Sequence, residues 1–254
     1  MMVIFWAAGL VTVLLLLGLL ARYNLWRLPV SWRAPRILMY HRIADDGLSQ
    51  NKGEGIRTTP EQFAWQMGWL ARRGVRFVTI SQLMAATNCT KLVAITFDDG
   101  YADNFTTAWP TLKKFNATAT IYLTPHMPNI ERLTPAMIQE MSAAGIEFGA
   151  HTMSHVHLPS TNDVIAMQEI TESKQSVERL TGRPCSSFAY PYGKFLDRHV
   201  AMVKAAGFAS AVTTKKRVLP CTRFDAWRLP RLSMVGQMNR FEFWLTITRG
   251  RYRV

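Results

Sequence analysis

Short apolar runs alternate with capped amphipathic stretches along most of this chain, and that alternation limits the fold more than any other feature. The apolar runs are Ile37 to His41, Phe77 to Ile80, Lys91 to Asp98, Ala119 to Thr124, Ile146 to Ala150, Ser187 to Tyr190 and Phe208 to Thr213. Helical patterns separate them. One opens at Thr59-Pro60-Glu61-Gln62, with Thr as N-cap and Pro in the first turn, and closes at Gly74. Others cover Tyr101 to Phe115 with a break near Pro110, Thr134 to Ala144 before Gly145, Asp163 to Leu180, and Asp197 to Ala206 before Gly207. Strands that alternate with helices pair in parallel, because each crossover returns the chain to the same end of the sheet. Six or seven such units in about two hundred residues suit an α/β fold, a small, partly distorted (β/α) barrel of about seven strands rather than a full eightfold one. Reactive groups are then expected at the C-terminal ends of the strands.

The first residues belong to something else. Val3 to Leu20 carry no charge over eighteen positions, and no basic residue precedes them. No small-residue cleavage pattern follows before Arg22, so an uncleaved single-pass transmembrane helix is expected rather than a signal peptide. Arg22, Arg27, Arg33 and Arg36 all lie on its C-terminal flank, which by the positive-inside rule places the folded part on the cytoplasmic face of a membrane; the periplasmic or extracellular face is the alternative. Three cysteines, Cys89, Cys185 and Cys221, are odd in number and lack C-x-x-C spacing, so neither a disulfide framework nor a cysteine metal site is expected. The chain has 30 Lys and Arg against 17 Asp and Glu, a formal charge of +13. Those basic residues are scattered and no nucleic-acid motif accompanies them, so an anionic membrane surface or a phosphate-bearing substrate is the expected partner and nucleic acid is not. The polar, Gly-rich stretch Ala44 to Gly55 reads as a mobile loop. The tail from Phe241 to Arg253 mixes aromatic and basic residues. It lies either in a membrane interface or as a helix closing one end of the barrel, with Phe241, Trp244 and Leu245 inward.

The chemistry concentrates in two segments. Thr96-Phe97-Asp98-Asp99-Gly100-Tyr101 puts an acidic pair at a strand end, and His151-Thr152-Met153-Ser154-His155 follows about fifty residues later. One carboxylate and two neutral imidazoles form a common three-ligand set that leaves a divalent ion an open position for water. Two adjacent Asp side chains at a strand terminus cannot both face the same way. One therefore serves the ion, and the other takes a proton from the attacking water. Phe188-Ala189-Tyr190-Pro191-Tyr192-Gly193 adds a strand that ends in a Pro-aromatic-Gly turn, whose backbone N–H groups suit a developing oxyanion.

With these three segments in order, the chain resembles the polysaccharide deacetylases with a NodB-homology domain, carbohydrate esterase family 4, over roughly Arg36 to Val235. The resemblance implies Asp98 as general base, Asp99, His151 and His155 as ligands of a divalent metal ion, Zn2+ by preference, and Thr152 as a brace for the His loop. It implies the main-chain N–H of Tyr192, after Pro191, as the oxyanion donor. Two departures matter. Where most members carry Arg four positions before the Tyr of the third motif, this chain has Phe188, and no Leu-x-His motif occurs near the C-terminus. Leu38-Met39-Tyr40-His41 resembles instead the N-terminal motif of the circularly permuted branch that includes poly-N-acetylglucosamine deacetylases, which makes His41 the expected acid for the leaving amine. Within Asp225-Ala226-Trp227-Arg228-Leu229-Pro230-Arg231, either Arg228 or Arg231 supplies the missing positive charge beside the base, and Trp227 is expected to line the sugar groove.

The expected organisation is an anchor over 1–25, a linker over 26–36, a deacetylase domain over 37–235 and a basic aromatic segment over 236–254. The expected activity is metal-dependent removal of an acyl group, most simply acetyl, from an amino sugar in a bacterial envelope glycan or its lipid-linked or lipopolysaccharide precursor. Two alternatives stay open at this stage: a deformylase of a lipid-phosphate-linked amino sugar, and an inactive glycan-binding protein of the same fold, which the absence of the usual Arg favours.

Overall fold

A computed structural model describes residues 2–23, 26–45, 56–236 and 238–250 of the chain. Its strands in chain order are β1 (Arg36–Tyr40), β2 (Arg42–Ile43), β3 (Arg57–Thr58), β4 (Arg76–Val78), β5 (Leu92–Phe97), β6 (Thr120–Leu123), β7 (Glu147–Ala150), β8 (Ser187–Ala189), β9 (Ser210–Val212) and β10 (Leu232–Ser233). The helices are α1 (Met2–Tyr23), α2 (Pro60–Ala71), α3 (Ile80–Ala85), α4 (Trp109–Lys114), α5 (Pro135–Ala143), α6 (Asp163–Thr181), α7 (Asp197–Ala205) and α8 (Arg240–Arg249). The main sheet is parallel throughout and follows the order β10-β1-β5-β6-β7-β8-β9, with β4 paired to the free side of β5 near its start. β2 and β3 form a separate parallel pair.

This is the incomplete α/β barrel that the alternation predicts. β5 is buried at every residue, as a strand covered on both faces must be, and its hydrophobic run shows no alternation. On the other side of the same strand path, Tyr40, Phe63 and Phe97 meet edge-on or tilted at 5.1 to 5.8 Å, joining α2 to β1 and β5. The caps work as their sequences indicate. Thr59 Oγ1 accepts from the Gln62 N–H, Thr134 Oγ1 from Met137, and Asn162 Oδ1 from Val164 and Ile165. The break near Pro110 is a turn of π-helix over Asn104–Ala108, after which α4 begins with Pro110 in its first turn. The short α3, held by a reciprocal Thr79/Gln82 capping box, is absent from the sequence reading because six residues carry too little periodicity.

One segment closes the gap between the sheet edges. Leu229 bridges Val212 of β9, and three residues later Leu232 pairs with Leu38 of β1. Arg231 lies between these two attachments, fully buried. A second long-range tie is a disulfide between Cys89, ahead of β5, and Cys221, ahead of the closing segment, 132 residues apart. This corrects the cysteine reading. An odd count says nothing about which two thiols the fold brings together, and Cys185 is the buried one left over.

Three N-terminal and C-terminal expectations also change. Among the described residues no helix is long and apolar enough to cross a membrane, although α1 is helical and exposes Phe5, Trp6, Leu10 and Leu15. Arg36 is not a flanking charge but a buried one, donating to the carbonyls of Val30, Ser31, Ala34 and Ile247. In α8 the inward residues are Phe243, Leu245 and Ile247, whereas Phe241 is 47% exposed and meets Tyr23 edge-on. Residues 46–55 of the expected mobile loop and residues 251–253 of the tail lie outside the described residues.

Candidate active site

The expected reactive residues gather because the parallel sheet brings the C-terminal ends of β1, β5, β7 and β8 to one end of the barrel. His41 follows Tyr40, Asp98 follows Phe97, His151 follows Ala150, and the Pro191 turn follows β8 by one residue. The turns at these ends depart from ordinary backbone. Asp99, Thr152, His155 and Tyr192 all have positive φ, at 73°, 62°, 58° and 58°. Non-glycine residues in this region are held there by their surroundings, typically where side chains must be aimed.

Asp98 and Asp99 diverge, as adjacent residues at a strand end must. The Asp98 carboxylate receives both arms of the Arg231 guanidinium, Nη1 to Oδ1 at 2.6 Å and Nη2 to Oδ2 at 2.7 Å. Arg231 is itself fixed by donating to Thr96 Oγ1 and to the Thr213 carbonyl, both at 3.1 Å. Burial pushes the Asp98 carboxyl up, but the Arg231 charge and hydrogen bonds more than reverse this and hold it well below the usual carboxylate range. Arg231 thus stands where the third-motif Arg is missing. Phe188, the residue in that position, is fully buried against Tyr190 and Phe208. Arg228 is elsewhere, in exposed pairs with Asp225 and Asp197.

Asp99 faces the histidines. Its Oδ1 lies 3.7 Å from His151 Nε2 and 3.6 Å from His155 Nε2, and the three possible ligand atoms all lie within 4.8 Å of one another. His151 Nδ1 is 2.7 Å from the Ala189 carbonyl; a carbonyl can only accept, so Nδ1 carries the hydrogen and Nε2 presents its lone pair. Burial, with Asp98 nearby, raises the Asp99 carboxyl to about 7, and burial lowers both imidazoles to about 4. Asp99 Oδ1 is buried and has no hydrogen-bond partner. A divalent cation fits this donor set, since it gives that oxygen a partner and takes up two lone pairs on neutral imidazoles.

His41 Nε2 lies 3.9 Å from Asp98 Oδ2, with its side chain 18% exposed. Burial lowers its pKa and the charge of Asp98 partly restores it. The Tyr192 ring is 56% exposed and stands edge-on to His155 at 4.4 Å. The next residue, Gly193, is required: with φ at 64°, a Cβ there would meet Thr214 Oγ1 at 1.9 Å.

Two expectations do not hold. Trp227 does not line this site. Its indole N–H donates to the carbonyl of Phe208, ahead of β9 and so at the opposite end of the barrel, while Lys204 Nζ lies 4.1 Å from its ring. Thr152 is buried but its Oγ1 makes no hydrogen bond, so its hydroxyl does not brace the His loop. That work falls to Glu169 of α6, which the sequence reading missed. Its carboxylate accepts from the N–H groups of Met153 and Ser154 at 2.8 and 3.0 Å and from the Ser154 hydroxyl at 2.6 Å. Glu169→Ala is expected to weaken divalent-ion affinity about 10- to 100-fold, the usual scale for a residue supporting metal ligands. Glu169→Gln can accept the same two N–H groups and should recover most of it. Equilibrium dialysis of both variants measures the effect, and an unchanged affinity in Glu169→Ala would remove this role.

Sequence and structure comparisons agree with this geometry. The polysaccharide deacetylase family model matches residues 85–211, half of the chain. The Bacillus subtilis protein YxkH, named for polysaccharide deacetylase, is 30% identical over 185 residues, which cover 70% of this chain and 64% of that protein. The poly-β-1,6-N-acetyl-D-glucosamine N-deacetylase of Staphylococcus epidermidis is 25% identical, with 77% of each chain covered. The crystal structure of a Bacillus anthracis protein, also named for polysaccharide deacetylase, superposes with a TM-score of 0.75 at 27% identity, over 84% of this chain and 69% of that one. With its acidic pair, paired histidines and Pro-Tyr-Gly turn brought to one end of a parallel barrel, this chain belongs to the polysaccharide deacetylases.

Proposed function

We propose that the chain is a metal-dependent de-N-acetylase of an N-acetylglucosamine-containing polysaccharide. The observation that carries this reading is the division of labour between adjacent carboxylates: Asp98 kept ionised by Arg231, and Asp99 turned toward two neutral imidazoles. A divalent ion held by Asp99, His151 and His155 would supply Lewis acidity toward the acyl oxygen and the attacking water. Asp98 takes the proton of that water, which is possible because Arg231 leaves it deprotonated at neutral pH. His41, facing Asp98, delivers a proton to the departing amine; the ionised carboxylate opposite draws the imidazole back toward its protonated form. The Tyr192 turn offers its main-chain N–H to the oxyanion. The Staphylococcus epidermidis relative, by its name, acts on a polymer of N-acetylglucosamine, which supports a polymeric substrate here. Full-length protein loaded with Zn2+ is expected to release acetate from N-acetylglucosamine oligomers. Absence of acetate release across a panel of oligomeric and lipid-linked amino sugars would overturn the reading.

We further propose that the catalytic part lies outside the cytoplasm. The arginine flank argues for the cytoplasmic face, but one of its four members, Arg36, is part of the folded core. The Cys89–Cys221 disulfide argues for the outer face, because thiols stay reduced in the cytoplasm. Alkaline phosphatase fused after Val254 is expected to be active in cells, whereas activity of a cytoplasm-only fluorescent reporter at that position would put the domain inside.

A further inference from the structure

His41 sits between two strands rather than within one. β1 ends at Tyr40, whose carbonyl accepts from the Asp98 N–H at 3.0 Å, and β2 begins at Arg42. An acid must meet the departing nitrogen in one orientation, so the main chain that carries it has to be held in place. The group that holds it comes from the far side of the acidic pair. Asn104 Nδ2 donates to the His41 carbonyl at 2.8 Å. On the other edge of the same planar peptide unit, the Arg42 N–H donates to the Ile56 carbonyl at 3.2 Å. Asp103 continues the hold one residue on. Its carboxylate accepts from the Ile43 N–H at 3.0 Å, from Arg42 Nε at 2.9 Å and from Asn104 Nδ2 at 3.1 Å.

Asn104 is fully buried and opens the π-helical turn Asn104–Ala108, a rare backbone form that occurs frequently at functional sites. A single stretch, Asp98 to Asn104, therefore carries the base and an ion ligand at its start and the hold on the acid at its end. Movement of this stretch would shift all three together. We propose that Asn104 is a positioning residue for the reaction: its side-chain amide fixes the main chain of His41, so that the imidazole meets the leaving amine. Asn104 belongs to neither the donor set of the ion nor the proton path, and it acts through His41 alone. This inference rests on the deacetylase reading above, in which the Nε2–H bond of His41 breaks as the amine N–H bond forms and the C–N bond parts.

The test compares full-length wild-type protein with Asn104→Ala and with Asn104→Leu, which fills the same space without a donor and serves if the smaller side chain leaves a cavity the fold does not tolerate. With Zn2+ and N-acetylglucosamine oligomers, either change is expected to lower kcat about tenfold to a hundredfold and to leave KM little changed, because the acid is misplaced while substrate binding is not. In a His41→Ala background the same change should cost little further, since nothing is left for Asn104 to position. An equal further loss in that background overturns the proposal, as does an unchanged kcat in the single variants. Loss of the ion from Asn104→Leu in equilibrium dialysis also overturns it, making Asn104 a support of the acidic pair instead. Hydrogen exchange supplies a readout that needs no turnover: the Arg42 and Ile43 amides of Asn104→Leu should exchange about tenfold faster, the equivalent of one lost hydrogen bond. Unchanged exchange at these amides overturns the hold on His41 whatever the activity. Faster exchange in a protein that releases no acetate from any amino sugar upholds the hold and overturns the deacetylase reading.

Discussion

An Asp99→Ala variant is expected to lose divalent-ion binding and turnover together, whereas Asp98→Asn should keep the ion and lose turnover by at least about a hundredfold. The contrast follows from what each carboxylate faces. Asp99 Oδ1 is the buried oxygen without a partner, set between two Nε2 atoms, so its removal takes one of three donors from the set. Asp98 gives both of its oxygens to Arg231 and none to that set, so an amide in its place keeps the shape and abolishes the base. Equilibrium dialysis with metal analysis and acetate release separates the two outcomes. Loss of the ion in Asp98→Asn, or its retention in Asp99→Ala, would exchange the assigned roles.

Arg231→Met is expected to be the most destabilising single change at the site, by about 3 to 5 kcal/mol, because it leaves a buried carboxylate without its counter-charge. Denaturant unfolding measures this, and the closing segment between β9 and β1 should loosen with it, since Arg231 also binds Thr96 and the Thr213 carbonyl. The pH dependence gives an independent readout. Asp98 in the folded protein is depressed below its ordinary value of 3.8, so its contribution to stability is fully present above that value and is lost as pH falls through the lower, folded one. Without Arg231 only burial remains of the two main effects, and burial raises the carboxyl. The acid limb of activity, which requires Asp98 deprotonated, should therefore move to higher pH in Arg231→Met. An unmoved acid limb in a folded variant would mean that Asp98 is not the base.

The disulfide reaches further than the local chemistry of two thiols. It ties the start of β5, which ends in the acidic pair, to the approach of the segment that carries Arg231. Replacing both Cys89 and Cys221 by Ser is expected to cost about 2 to 4 kcal/mol in unfolding free energy, the usual range for closing a long loop. An identical denaturation midpoint for the oxidised and reduced wild-type protein would argue against that.

The parts of the fold and site that were legible in the sequence are those written in local patterns. Thr59 and Thr134 announced helix starts because a cap is a contact between residues three apart. The apolar run ending in Asp98-Asp99 announced a strand with its reactive end, and the structure shows that strand buried at every residue. The two histidines share one short loop and could be read as a pair. What only the tertiary structure decided is every relation across distance. Arg231 reaches Asp98 from 133 residues away, and nothing near it in sequence distinguishes it from Arg228, which ends on the surface. Cys89 meets Cys221, Glu169 reaches back to the His loop from α6, and Trp227 turns to the far end of the barrel. The physical reason is the same in each case. Helix caps, turns and strand periodicity are settled by neighbours along the chain, whereas the partner of a buried charge, thiol or indole is settled by strand order and barrel closure, which the neighbouring residues do not encode.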